Sequence, residues 1–123
     1  MAKVLIVDDA KIMRITIRKI IEGLGHTVIA EASSGYEGVE QYKLLKPDFV
    51  TMDITMPAEQ GIADGIEAVR EIMKIDKSAK IIMITSHGEQ NKVIQAIQSG
   101  ASNYMLKPLQ SEKLAEIISK LGV

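Results

Sequence analysis

Short apolar runs alternate along this chain with longer segments of helical period, five times over and without a linker or a break in composition. A strand followed by a helix and then by a parallel strand in the same sheet needs a crossover. The alternation therefore restricts the chain to an α/β fold with a doubly wound, five-stranded parallel sheet. Val4-Leu5-Ile6-Val7 and Ile81-Ile82-Met83-Ile84 are apolar at every position, which suits central strands covered by helices on both faces. Phe49-Val50-Thr51-Met52 reads as a third strand, Val28-Ile29-Ala30 as a weaker one suited to an edge, and Tyr104-Met105-Leu106 as the last.

After the first strand, Met13, Ile17, Ile20, Ile21 and Leu24 recur at helical spacing, and Gly25 is placed to stop that helix. Leu114, Ile117, Ile118 and Leu121 form an i, i+3, i+4, i+7 stripe for the fifth helix, with Ser111 as its expected N-cap. The spacing predicts a second helix around residues 35 to 45, a third around 62 to 75 and a fourth around 90 to 99. The seven methionines fall mostly in apolar runs and read as core filler. His26, in a Gly-His-Thr turn, reads as a solvated loop residue.

A chain of 123 residues is expected to form one domain over residues 1–123, burying roughly two-thirds of its unfolded surface. A net charge of −1 offers no basic face for nucleic acid, and the absence of cysteine excludes disulfides and thiolate metal sites. No apolar run approaches the roughly 20 residues of a membrane span. Met1-Ala2-Lys3 leads into a strand instead of a signal sequence, so a cytoplasmic protein without membrane insertion is expected.

In a doubly wound sheet the functional crevice lies beyond the carboxyl ends of the strands. Asp8-Asp9 follow the first strand, Asp53 the third, Thr85-Ser86 the fourth and Lys107-Pro108 the fifth. Taken singly, Asp9 reads as the N-cap of the first helix, Thr85 as a β-branched strand residue and Ser86 as a cap. Capping does not account for Asp8 as well, nor for a third carboxylate and a lysine at the same rim. Three carboxylates in a partly desolvated site repel one another unless a cation offsets them. Oxygen donors without His or Cys favour magnesium, or manganese, over zinc. Lys107 adds a point charge that can neutralise a carboxylate and bind a phosphoryl oxygen.

The stretches Leu5-Ile6-Val7-Asp8-Asp9-Ala10, Val50-Thr51-Met52-Asp53-Ile54-Thr55-Met56-Pro57, Ile82-Met83-Ile84-Thr85-Ser86 and Tyr104-Met105-Leu106-Lys107-Pro108 stand in this order. Together they resemble the CheY-like receiver domain of bacterial response regulators, over the whole chain. The resemblance implies a flavodoxin-like strand order of 2-1-3-4-5 and makes Asp53 the phosphorylation site. It implies a magnesium ion among Asp8, Asp9, Asp53 and the backbone carbonyl of Thr55, with Asp9 and Asp53 as direct ligands and Asp8 acting largely through water. Lys107 would contact the phosphoryl oxygens and Thr85 would swing toward them, its motion coupled to Tyr104 as the aromatic switch. The Lys107-Pro108 peptide would be cis, and Thr55 and His87 occupy positions that tune the lifetime of the phosphoryl group.

The same resemblance implies a sensor histidine kinase, or a small acyl phosphate, as donor. It implies an acceptor with intrinsic autodephosphorylation and not an enzyme. A downstream protein would read the face of helix 4, strand 5 and helix 5. The Val50–Pro57 stretch and the helix 4 segment resemble the chemotaxis branch, whose single-domain members act at the flagellar motor switch, with a phosphatase as a further partner. Since the chain ends where the receiver fold ends, a DNA-binding output is not expected. A single-domain relay intermediate outside chemotaxis is the alternative within the family.

Two other classes require motifs that the chain lacks. A metal-dependent aspartyl phosphatase of the haloacid dehalogenase kind needs D-x-D at the nucleophile, and Asp53-Ile54-Thr55 lacks the second Asp. A nucleotide-binding module needs a Gly-rich phosphate loop after the first strand, where Asp8-Asp9 stand instead. The chain also departs from the receiver pattern: both Gln60-Gly61-Ile62 and Asp64-Gly65-Ile66 fit the family's [DN]-G-[IL] slot, which implies a four-residue insertion beside the site. Such an insertion either extends the third helix by about a turn, swells its loop, or forms a surface bulge of no consequence.

Overall fold

The computed structural model describes residues 1–86 and 89–123. Its strands are β1 (Lys3–Val7), β2 (Thr27–Ala32), β3 (Phe49–Asp53), β4 (Ile81–Thr85) and β5 (Asn103–Leu106). Its helices are α1 (Lys11–Gly23), α2 (Gly35–Leu45), α3 (Gly65–Ile75), α4 (Gln90–Gln98) and α5 (Ser111–Ser119). The strands pair in parallel in the order β2-β1-β3-β4-β5, so the sheet is the doubly wound one expected, with β2 and β5 at its edges.

Why the central strands are apolar at every position follows from the two cores. Val4 and Ile6 point to one face, with Phe49, Ile82 and Ile84, and pack against Ile17 and Ile21 of α1 and Leu114, Ile117 and Ile118 of α5. Leu5 and Val7 point to the other, with Val50, Met52, Ile81 and Met83, under α2, α3 and α4. Burying one such side chain contributes roughly 1.5–3 kcal/mol relative to leaving it in water, so a charge at either parity of β1 would break one layer. No helix among the described residues is long and apolar enough to cross a membrane.

Helix termini correct several expectations. Asp9 does not cap α1: the N-cap is Ala10, which has no side-chain oxygen, and the Ala10 amide instead donates to Asp8 Oδ1 at 2.9 Å. The helix does stop at Gly25, with φ of 91°, where the Gly25 amide donates to Glu22 O and the His26 amide to Ile21 O, a Schellman pair. Ser111 is the first residue of α5, and Gln110 takes the N-cap. His26 is half-buried instead of solvated. Its Nδ1 accepts from the Ala2 amide at 2.9 Å and its ring meets Phe49 edge-on, 5.8 Å between centroids.

The third helix begins at Gly65 and not at residue 62, because the residues before it form a turn closed between Glu59 and Ile62. Gln60 and Gly61 both have positive φ, 50° and 82°, and Glu59 and Ile62 exchange backbone hydrogen bonds of 3.1 and 2.9 Å across them. This is a two-residue hairpin of the I′ kind, so the extra residues do not extend the helix; they lie in its preceding loop, as both the swollen-loop and the surface-bulge readings have it. Asp64 then caps α3, its Oδ1 accepting from the Glu67 amide at 3.0 Å. Of the two candidate glycines, Gly65 is the one that must be small: a Cβ there would lie 2.0 Å from the Asp53 carbonyl oxygen. A Cβ at Gly61 would meet open space.

Candidate functional site

Strand register decides which side chains meet. Val7 pairs with Met52, so Asp8 and Asp53 leave adjacent strands at the same height. Asp53 pairs with Ile84 and Thr85 with Leu106, which sets Thr85 and then Lys107 one step further along the same rim. Oxygens of Asp8, Asp9 and Asp53 all lie within 4.8 Å of one another. Asp8 is 1% exposed and Asp53 6%, whereas Asp9 stands in solvent. Lys107 Nζ lies 3.7 Å from Asp8 Oδ2 and 3.7 Å from Asp53 Oδ1, between the two buried carboxylates. The Lys107-Pro108 peptide is cis, as the family resemblance implies.

One ammonium cannot balance three carboxylates. Burial first, then the charge of Asp8 and less so that of Asp9, raise the Asp53 carboxyl to about 7, with Lys107 and the Ile54 amide offsetting only part of their push. Asp8 is likewise raised, chiefly by burial, against the pull of the Ala10 amide and Lys107. Asp8 Oδ2, moreover, is buried without a hydrogen-bond partner among the described residues. Lys107 attracts it from 3.7 Å without hydrogen-bonding it, and a buried acceptor left without a hydrogen bond costs about 1–3 kcal/mol. A hard divalent cation fits this donor set, since it would supply the missing partner and the missing charge with oxygen ligands alone.

The neighbouring loops carry the remaining candidates. Thr85 is fully buried, and its hydroxyl donates to Glu89 Oε1 at 3.1 Å, with Ser86 O at 3.4 Å. Thr55, exposed in the β3–α3 loop, donates to Glu89 Oε2 at 2.5 Å. The Glu89 carboxyl is pushed up by burial, but hydrogen bonds from Thr55, the Ser86 amide and Thr85 outweigh this and hold it below its usual range. Tyr104 is 43% exposed and borders a groove of about 430 Å³ lined by Val93, Ile94, Ile97 and Leu106. His87 lies outside the described residues.

Two residues at this rim were not singled out from the sequence. Arg14 Nη1 donates to the Asp8 carbonyl at 2.7 Å and its Nε to Glu31 Oε1 at 3.0 Å, so it holds the strand end that carries Asp8. Its signal is an arginine at the i position of the Ile17, Ile21 stripe. Glu89 sits in a loop where no periodicity applies, and only its place four residues past Thr85 marks it.

Comparison with known proteins follows the same lines. Residues 4–119 match the model of the response regulator receiver domain family. The chain is 50% identical over 120 residues to a chemotaxis protein CheY of Thermotoga maritima, covering 98% of this chain and 97% of that one. It is 48% identical to a chemotaxis protein CheY of Bacillus subtilis, covering 96% and 95%. Among solved structures it superposes on the CheX-CheY-BeF3-Mg+2 complex from Borrelia burgdorferi with a TM-score of 0.90, at 35% identity, covering 98% of this chain and 89% of that one. A response regulator receiver domain protein from Clostridium thermocellum gives 0.89 at 31% identity, covering 98% and 94%.

Proposed function

The chain belongs to the response regulator receiver domain family, and from that premise we propose that it is a phosphorelay switch of chemotaxis in which Asp53 accepts a phosphoryl group. The observation that carries this reading is the buried acidic cluster itself: Asp53 set beside Asp8 and Asp9, with Lys107 3.7 Å from both buried carboxylates. The chemotactic setting rests on the relatives named CheY that match nearly end to end.

Phosphoryl transfer passes through a loose transition state, so positioning and charge neutralisation supply most of the catalysis. From a sensor kinase phosphohistidine, an Asp53 oxygen forms the new P–O bond as the P–N bond breaks, and the imidazole leaves with the electron pair. Lys107 stands where its ammonium meets the incoming oxygens. Asp8, Asp9 and Asp53, with the Thr55 carbonyl, would hold Mg²⁺, which when bound offsets carboxylate and phosphoryl charge together. The transferred group then carries acceptor oxygens for the Thr85 hydroxyl. With Thr85 drawn inward, Tyr104 has room to leave the α4–β5 groove that it borders.

A downstream protein, the flagellar motor switch in this reading, binds the α4, β5 and α5 face and must prefer one of the two states to sense the change. A phosphatase partner and intrinsic autodephosphorylation limit the signal, with Thr55 and His87 setting the lifetime. The protein acts as an acceptor in the cytoplasm and turns over no substrate of its own. The test is intact mass after incubation with acetyl phosphate, for wild type and Asp53→Asn, with Mg²⁺ and with a chelator. One added phosphoryl group on wild type in Mg²⁺ alone supports the reading, and equal modification of Asp53→Asn overturns it.

A further inference from the structure

Thr85 is the residue whose hydroxyl must reach the phosphoryl group, yet its one proton is already committed. Its nearer acceptor is Glu89 Oε1 at 3.1 Å, with Ser86 O at 3.4 Å. A hydroxyl has a single donor hydrogen, so it cannot serve Glu89 and a phosphoryl oxygen together. The other oxygen of the same carboxylate takes the Thr55 hydroxyl at 2.5 Å, and the Ser86 amide adds a third donor at 3.1 Å. Glu89 thus straps the β3–α3 loop, which follows Asp53, to the β4–α4 loop, which follows Thr85.

Resting on the receiver reading above, we propose that Glu89 is a positioning residue that latches Thr85 in the unphosphorylated state, so that the phosphoryl group must displace a carboxylate before the switch turns. The bond to be broken is charge-assisted and partly shielded from water, which makes it stronger than an exposed hydroxyl contact. Removing the carboxylate therefore lowers the threshold for switching. A role confined to starting α4, where Glu89 is the N-cap residue, would change stability without changing that threshold.

The test is calorimetric titration of the full chain with beryllofluoride in excess Mg²⁺, since this anion adds to a carboxylate oxygen in the tetrahedral shape of a phosphoryl group. Four proteins form a cycle: wild type, Glu89→Ala, Thr85→Ala and the double variant. Glu89→Gln serves as the milder substitution, keeping an acceptor without the charge. Glu89→Ala is expected to bind at least about tenfold more tightly than wild type, the worth of one hydrogen bond to a charged group, with Glu89→Gln between them. In the Thr85→Ala background the gain disappears. An unchanged or weakened affinity for Glu89→Ala, or a gain of the same size without Thr85, overturns the latch while leaving Asp53 as acceptor. Failure of wild type to bind the anion at all overturns the receiver reading, and the latch with it.

Discussion

Asp53 is the residue on which stability and chemistry oppose each other. Without a bound cation its carboxyl is raised to about 7, so between the two values the folded protein holds a proton there that the unfolded chain, near 3.8, has already lost. Stability therefore falls as pH rises from about 4 to 7, and the loss is complete above the folded value, with an upper bound of about 4 kcal/mol. Replacing Asp53 by Asn removes this penalty. In magnesium-free buffer Asp53→Asn is expected to melt above wild type at about pH 8, with the gap closing toward about pH 4; parallel melting curves across that range would contradict it. The three carboxylates and Lys107 were legible in the sequence because strand ends are fixed by the apolar runs before them. Glu89 and Arg14 were not, because their roles depend on loop and helix-face contacts that no run of neighbours encodes.

Among the elements, α3 is tied most closely to the site, since its first residue lies against the Asp53 carbonyl and the Gly65 amide donates to Ile54 O at 2.8 Å. Gly65→Ala places a methyl 2.0 Å from that carbonyl, so either the helix retreats or the end of β3 moves. The expected result is a loss of roughly 1–3 kcal/mol in urea unfolding together with slower phosphorylation by acetyl phosphate. Gly61→Ala, at a φ of 82° but in open space, is the contrast: about 1 kcal/mol from the left-handed backbone, with the phosphorylation rate kept. Equal phosphorylation rates for the two variants would contradict the assignment of the close approach to Gly65. Both Gly-Ile registers were open in the sequence, because either glycine satisfies the local pattern. What separates them is a positive φ at one and a long-range contact at the other, and neither has a sequence signature of its own.

For the whole molecule, folding and signalling meet at one rim of a sheet that is otherwise covered on both faces. Strand parity made that two-sided cover legible, and the order β2-β1-β3-β4-β5 followed from family resemblance and not from the runs themselves. A ligand that binds only the folded state stabilises it by RT ln(1 + [L]/Kd), about 2.7 kcal/mol at a hundredfold excess over Kd. Mg²⁺ is therefore expected to raise the melting temperature of wild type at about pH 8, and Asp53→Asn, with one carboxylate fewer, to respond less; an equal response would place the ion elsewhere. The central claim is tested most directly by where the phosphoryl group sits. Borohydride reduction of the acetyl phosphate-treated protein converts an aspartyl phosphate to homoserine, which tandem mass spectrometry of its peptides then maps. Homoserine at position 53 and only in Mg²⁺ is the predicted result; homoserine at position 8 or 9, or none at any aspartate, would contradict the account.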